Sequence, residues 1–252
     1  FEEPLGKAGT NLSVIPYVTS GVTRDFEDIN QTSSQSTFNF GGDAKIGISS
    51  SLNLDLTANP DFSQVEVDQQ VTNLDRFEIF FPERRQFFLE NADLFAGFGT
   101  DNMNPFFSRR IGVSQDTTTG NNVQNTIYGG ARLSGKVTNK LRVGLMNMLT
   151  APQKDNDLPA FNYTVGAAEY QVGERNNIGL IFVNKDAINS EDFSESVQAY
   201  DRIAGIEYRI GTKNNLWRGK TSFMNAITPN DETGKYAHYT QITYLRRQLT
   251  LQ

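Results

Sequence analysis

LNLDLTANPDFSQVEVDQQVTNLDRFEIFFPERRQFFLENADLFAGF, residues 52–98, decides how the chain is read, because it opens as a strand and then abandons that rhythm. Leu52, Leu54 and Leu56 alternate with Asn53, Asp55 and Thr57, so a strand of period two puts three leucines on one face and three polar groups on the other. Pro60 ends the strand. Beyond it come the acids Asp61, Glu66, Asp68, Asp75, Glu78, Glu83, Glu90 and Asp93, the arginines Arg76, Arg84 and Arg85, and the phenylalanines Phe77, Phe80, Phe81, Phe87 and Phe88. A segment so rich in both kinds is expected to be enclosed with its charges paired, since a buried charge left alone is very costly.

Outward from this stretch the alternation resumes on both sides. Residues 11–19 and 38–49 read as strands before it. Residues 126–137, 140–150, 160–172, 177–185, 197–210, 216–228 and 236–247 read as strands after it, about ten in all at the length that crosses a bilayer when tilted. Short connections fall at 49–51, 138–139, 173–177 and 211–215; long polar ones fall at 24–37, 151–159, 186–196 and 229–235. The two kinds alternate. That is the signature of an up-and-down meander with tight turns at one end and longer loops at the other.

The parity constrains the insertion, residues 59–125. The strand at Leu52 leaves a tight turn and the strand at Thr126 returns to one, so the insertion starts and ends on the long-loop side. It therefore supplies no crossing strand or an even number. The expected arrangement is a plug folded into the mouth or lumen of a barrel, with PFFSRRIGV at 105–113 as an interior piece; two extra strands are the alternative. Within it, Pro82 followed by Glu83 marks a short helix with Phe81, Phe88 and Leu89 on one side.

Composition narrows the function classes. No run of eighteen apolar residues is present, and a mean hydropathy of −0.47 suits either a soluble protein or a barrel in which every second residue faces lipid. With no cysteine there is no disulfide or thiolate metal site, and 23 basic against 29 acidic residues give a net charge of −6, without the basic footprint of a nucleic-acid binder. His238 is the single histidine, so no histidine-based metal cluster or catalytic triad forms; it is expected at the rim or in the lumen. Gly41-Gly42 and Gly129-Gly130 lack the helix and lysine of a phosphate loop. Asp55, Asn59 and Asp61 give only a weak calcium spacing. No catalytic residue, metal or cofactor is assigned.

NPDFSQVEVD, FFPERRQFFLENADLF, FFSRRIG at 106–112 and GGARLSGK at 129–136 together resemble a family of Bacteroidota outer-membrane barrel proteins. Its members carry a family-nine carbohydrate-binding-like domain ahead of a long domain of unknown function. The resemblance implies an all-β, antiparallel, up-and-down transmembrane barrel, of which residues 1–252 form an N-terminal part; Phe1 in place of a Met and the alternation still running at 249–252 are read as two cut ends. It also implies a cell outer-membrane location in a Gram-negative bacterium and a binding or transport role, or a place as a subunit of an envelope assembly.

On this reading the lipid-facing positions are Leu52, Leu54, Leu56, Leu133, Leu141, Val143, Leu145, Ile178, Leu180 and Phe182. The lumen charge network is Asp61, Glu66, Asp68, Glu78, Glu83, Arg84, Arg85, Glu90, Arg109 and Arg110, with the arginine pair read alternatively as an anion-selectivity feature. Tyr17, Tyr163, Tyr208, Trp217, Tyr236 and Tyr239 are the girdle candidates. Partners expected are outer-membrane lipid and other envelope proteins or glycan. Two other classes stand beside this one: a glycan-cleaving enzyme using two carboxylates of residues 61–93, and a soluble β-sandwich binding module.

Overall fold

The structure, a computed structural model, describes residues 11–23, 35–60, 83–115, 122–193, 197–229, 234–246 and 249–251. Thirteen strands are described: β1 (Leu12–Thr23), β2 (Gln35–Gly47), β3 (Leu52–Ala58), β4 (Val113–Gln115), β5 (Asn122–Gln124), β6 (Ile127–Lys136), β7 (Leu141–Thr150), β8 (Ala160–Val172), β9 (Asn176–Ile188), β10 (Tyr200–Gly211), β11 (Trp217–Ile227), β12 (Tyr236–Arg246) and β13 (Leu249–Leu251). All but β4 and β5 hydrogen-bond in sequence order as one antiparallel sheet. Among the described residues the sheet does not close; β1 and β13 are its edges.

The meander expected from the turn pattern is therefore present. β3 pairs directly with β6, and β4 with β5 forms a separate two-stranded hairpin, so the described part of the insertion adds no strand to the main sheet. Strand ends differ from expectation: β2 begins at Gln35 and β9 runs to Ile188, inside stretches read as loops, and β10 begins only at Tyr200. Cross-strand pairing overrides the polar composition of these ends, since Ser36 pairs with Val22 and Asp186 with Tyr200.

Alternation gives the sheet two faces, one covered by residues 83–112 and one open. On β8 the covered side holds Phe161, Tyr163, Val165, Ala167 and Glu169, all buried, while Asn162, Thr164, Gly166, Ala168 and Tyr170 look the other way. A register shift between Ile127 and Gly129 turns Ile127 to the covered face, where it is fully buried, although plain alternation groups it with Ala131 and Leu133. A β-bulge does this by inserting one residue into one strand only.

The core lies between the covered face and the inserted segment. It joins Phe87, Phe88, Leu94, Phe95, Phe98, Phe106 and Ile111 to Ile127, Met146, Met148, Val165, Ile181 and Met224 of the strands. The segment carries two single-turn helices, α1 (Gln86–Leu89) and α2 (Ala92–Ala96), and a 3-10 turn at Ser108–Arg110. Glycines in the sheet make room for it. A Cβ at Gly144 would lie 2.6 Å from Phe95 Cζ, and one at Gly179 2.7 Å from Phe98 Cε1, so both rings rest directly on bare backbone.

Some orientations differ from the sequence reading. α1 starts after Arg85, not at Pro82, and buries Phe87 and Phe88 while Leu89 is exposed; one turn is too short to hold residues 81, 88 and 89 on one side. Phe81 and Pro82 lie outside the described residues. Tyr163 is buried on the covered face beside Phe161, not in a girdle, because its odd position on β8 points inward. Tyr17 and Tyr239 also belong to the covered side, Tyr17 donating its hydroxyl to the Asn59 carbonyl and Tyr239 bonding Gln241. His238 is on the open face with Thr221 and Thr240.

Candidate functional site

Cross-strand register assembles a row of charges on the covered face near the tight-turn end. Arg142 of β7 faces Glu169 of β8, Glu169 faces Gly179 of β9, Gly179 faces Glu207 of β10, and Glu207 faces Ser222 of β11. These residues are far apart in sequence. Arg209, two positions beyond Glu207, reaches sideways to both carboxylates, its Nε donating to Glu207 at 2.7 Å and its NH1 to Glu169. Arg142 joins from the other side, 3.2 Å from Glu169 and 2.8 Å from Asp93 of α2.

Glu207 is the hub of this ladder. It is 1 % exposed and accepts from the Gly99 backbone N–H at 2.9 Å, Ser222 Oγ at 2.6 Å and Arg209, with Lys220 Nζ 3.6 Å away. Arg209 also donates to the Gly97 carbonyl at 2.9 Å. Strand charges thus hold the turn after α2 by its backbone. Gly99 has φ +72°, a left-handed conformation in which a side chain is strained, and its carbonyl neighbourhood at Met103 leaves no space for one.

A second pin sits closer to the β3 edge. Arg132, with its side chain 2 % exposed, donates to Asp55 Oδ2 at 2.9 and 3.2 Å, and its guanidinium lies 5.0 Å from the Phe87 ring centroid. Glu90 bonds Lys45 of β2 and accepts from Asn53 Nδ2 at 3.2 Å; Asn91 donates to Ser134 at 3.0 Å. The Lys45 bond, against a smaller opposing effect of burial, holds the Glu90 carboxyl below its ordinary 4.5.

The third unit is internal to the segment. Glu83 takes two hydrogen bonds from the Arg85 guanidinium, at 2.9 and 2.8 Å, and one from Ser108 at 2.6 Å, while Arg85 caps the Ile111 and Ser108 carbonyls at 2.6 and 2.7 Å and stacks 4.1 Å from Phe88. Burial alone would raise the Glu83 pKa; hydrogen bonding and charge from Arg85, helped by Ser108, outweigh it and leave the group below 4.5. A carboxyl held down in this way is a poor proton donor near neutral pH, so neither Glu83 nor Glu90 is poised for general-acid work.

Of the sequence-assigned charge network, Glu83, Arg85 and Glu90 are thus in ion pairs, Arg109 is buried on the 3-10 turn, and Arg84 and Arg110 are exposed. Asp61, Glu66, Asp68 and Glu78 lie outside the described residues. Arg85 pairs with an acid of the insertion itself, whereas Glu90 and Asp93 pair with bases of the strands. Sequence reading missed Glu169, Glu207, Arg209 and Ser222. Their signal was present as polar residues closing otherwise apolar alternate lines, as Glu169 does after Phe161, Tyr163, Val165 and Ala167. Asp55 is engaged by Arg132 and not free for calcium, and no group of three metal-ligating side chains occurs among the described residues.

The ten residues read as lipid-facing alternate with the covered set and share the open face. Leu56, Leu145, Ile178, Leu180 and Phe182 are exposed; Leu52, Leu54, Leu133, Leu141 and Val143 are half-buried by their neighbours. Tyr170 and Tyr208 flank Ile178 at the tight-turn end, and Trp217 packs on Tyr244 with ring centroids 4.8 Å apart. At the other end the leucines give way to a register row of Asn147, Thr164, Asn184 and Arg202.

An acid response follows from the segment's carboxylates. Asp93, hydrogen-bonded by Arg142, is held below its ordinary 3.8, as Glu83 and Glu90 are held below 4.5. A depressed folded pKa contributes stability above the unfolded value and loses it as pH falls through the folded one. Glu90 and Asp93, at 35 % and 66 % side-chain exposure, contribute little, roughly 0–1 kcal/mol each. Enclosed Glu83 dominates. The protection of residues 83–112 against hydrogen exchange, measured relative to the pH-dependent intrinsic rate, should therefore be flat from pH 7 to 5 and fall below 4.5, and Glu83→Gln should flatten that response.

Fold and site together define an all-β, up-and-down meander whose covered face is pinned by charge to an inserted segment. The chain belongs to the family described as a domain of unknown function (DUF5916), whose sequence model matches residues 8–244. No curated protein and no solved structure matches the chain.

Proposed function

We propose that this sheet is part of the wall of an outer-membrane β-barrel, with its open face toward lipid and residues 83–112 acting as a plug on the lumen side of a binding or transport barrel for an envelope solute. One observation carries the reading: the sheet buries its charges and bares its leucines. Arg132, Glu169 and Glu207 are 2 %, 8 % and 1 % exposed, while Leu145, Leu180 and Ile206 on the opposite face are 55 %, 52 % and 48 % exposed. Water would not select that inversion, because a contiguous apolar face of this kind marks an interaction surface. Hydrocarbon would, and open-face aromatics at both ends of the band, Tyr170, Tyr208 and Trp217 at the tight-turn end and Tyr200 and Tyr236 at the other, suit the two interfaces. On the lumen side, the paired charges let a polar interior and a docked segment coexist without bare ions.

Trp217, the chain's single tryptophan, is 48 % exposed on the open face and supplies the test. In vesicles of phosphatidylethanolamine and phosphatidylglycerol whose acyl chains are brominated near the headgroup, its fluorescence should be largely quenched. A protein that is monodisperse without detergent and keeps unquenched Trp217 fluorescence in those vesicles overturns the proposal.

A further inference from the structure

The open face is not uniform. Along β7 to β11 the side chains shrink at Gly166, Ala168 and Ala204 and leave an open hollow of about 650 Å³, walled by Leu145, Leu180 and Phe182. That volume is in the range of ligand sites, about 300–1,000 Å³. Its lining is hydrocarbon except for Asn225, whose Oδ1 is buried without a hydrogen-bond partner among the described residues.

The register fixes what adjoins it. Leu145, Gly166, Phe182, Ala204 and Asn225 form one row across the sheet, and two residues farther along each strand lies the row of Asn147, Thr164, Asn184 and Arg202. The second row is polar and balanced in charge. Arg202 donates to Asn184 at 2.7 Å and to Asp186 at 3.1 Å, and Asn147 donates to Asn162 at 3.0 Å and Thr164 at 2.9 Å. Because Asp186 already neutralises Arg202, the row suits uncharged hydroxyls better than a bare phosphate. The side-chain oxygens of Asn147 and Asn184 each accept one hydrogen bond, from Asn162 and Arg202, and a carbonyl oxygen can take two.

We infer that this hollow binds one acyl chain of a membrane glycolipid, with the sugar head hydrogen-bonded along the Asn147–Arg202 row. The inference rests on the membrane reading above and deepens it by giving the open face a specific lipid. Gly166 supplies the test: a Cβ there meets only Leu145 Cδ2 at an ordinary 3.6 Å, so a large side chain can enter the hollow without moving backbone.

The experiment is native mass spectrometry of the protein extracted in mild detergent, then incubated with equal amounts of a hexose-headed diacylglycerol and phosphatidylethanolamine. The wild-type protein should retain about one glycolipid per chain in preference to the phospholipid. Gly166→Phe should lose that adduct, Asn147→Leu, which strips an exposed amide from the polar row, should weaken it several-fold, and Val14→Phe on exposed β1 should keep it. If Gly166→Phe fails to fold, Ala204→Leu fills the same hollow from β10. Glycolipid retained by the filled variants overturns the inference, and so does equal retention of phosphatidylethanolamine, or a lipid-free dimer that Gly166→Phe dissociates. A lipid-free wild-type protein whose Trp217 is still quenched overturns the site while leaving the membrane reading intact.

Discussion

Replacing Glu207 with leucine should destabilise the fold by about 2–6 kcal/mol and release residues 83–112 from the sheet, because the Gly99 N–H and Ser222 Oγ lose their buried acceptor at about 1–3 kcal/mol each. The carboxylate accepts from Gly99 N–H, Ser222 and Arg209 at once, and a leucine satisfies none of them. Arg209 keeps Glu169 and the Gly97 carbonyl, which limits the damage on that side. The Gly99 amide keeps nothing. Urea unfolding of the protein in detergent micelles gives the stability loss, and limited proteolysis locates it: cleavage within residues 83–112 should rise well before the strands are cut. Glu207→Gln, which retains shape and one acceptor, should lie between wild type and Glu207→Leu. Wild-type stability and protease resistance in Glu207→Leu would mean the ladder does not hold the segment.

The second large effect is at the other pin. Arg132→Met should cost about 3–5 kcal/mol, since Asp55, 7 % exposed, would be left as an uncompensated buried charge. Asp55→Leu together with Arg132→Met should recover most of that loss, because a well-packed apolar pair often matches a buried ion pair of the same volume. The cycle separates two roles. If the double variant regains stability but residues 83–112 stay protease-sensitive, the pair orients the segment; if both recover, its worth is only charge neutralisation. Equal destabilisation in the single and double variants would count against the buried-charge argument.

Strand identity and order were legible in the sequence because both rest on local chemistry. Leu52-Asn53-Leu54-Asp55-Leu56-Thr57 names a strand from its own period, and Thr138-Asn139 between two alternating runs names a hairpin. The alternation of short and long connections implied the meander, whereas parity left both no strand and two strands open for the insertion, and only the pairing of β3 with β6 decides for the described part. Which face is covered was less legible. On β8 both lines are largely apolar, Phe161 to Ala167 on one side and Gly166 to Tyr170 on the other, so period two alone cannot say which of them meets Phe95 and Phe98.

By itself, then, the sequence determined an all-β chain, its strands and their antiparallel order. Tertiary structure alone decided who pairs with whom. Glu207 and Gly99 are 108 residues apart, Arg132 and Asp55 are 77 apart, and each meets its partner only through sheet register and the docking of α2 on Gly144. Period and turn chemistry act over a few neighbouring residues, whereas a charge is satisfied by whatever the folded chain brings within about 3 Å of it.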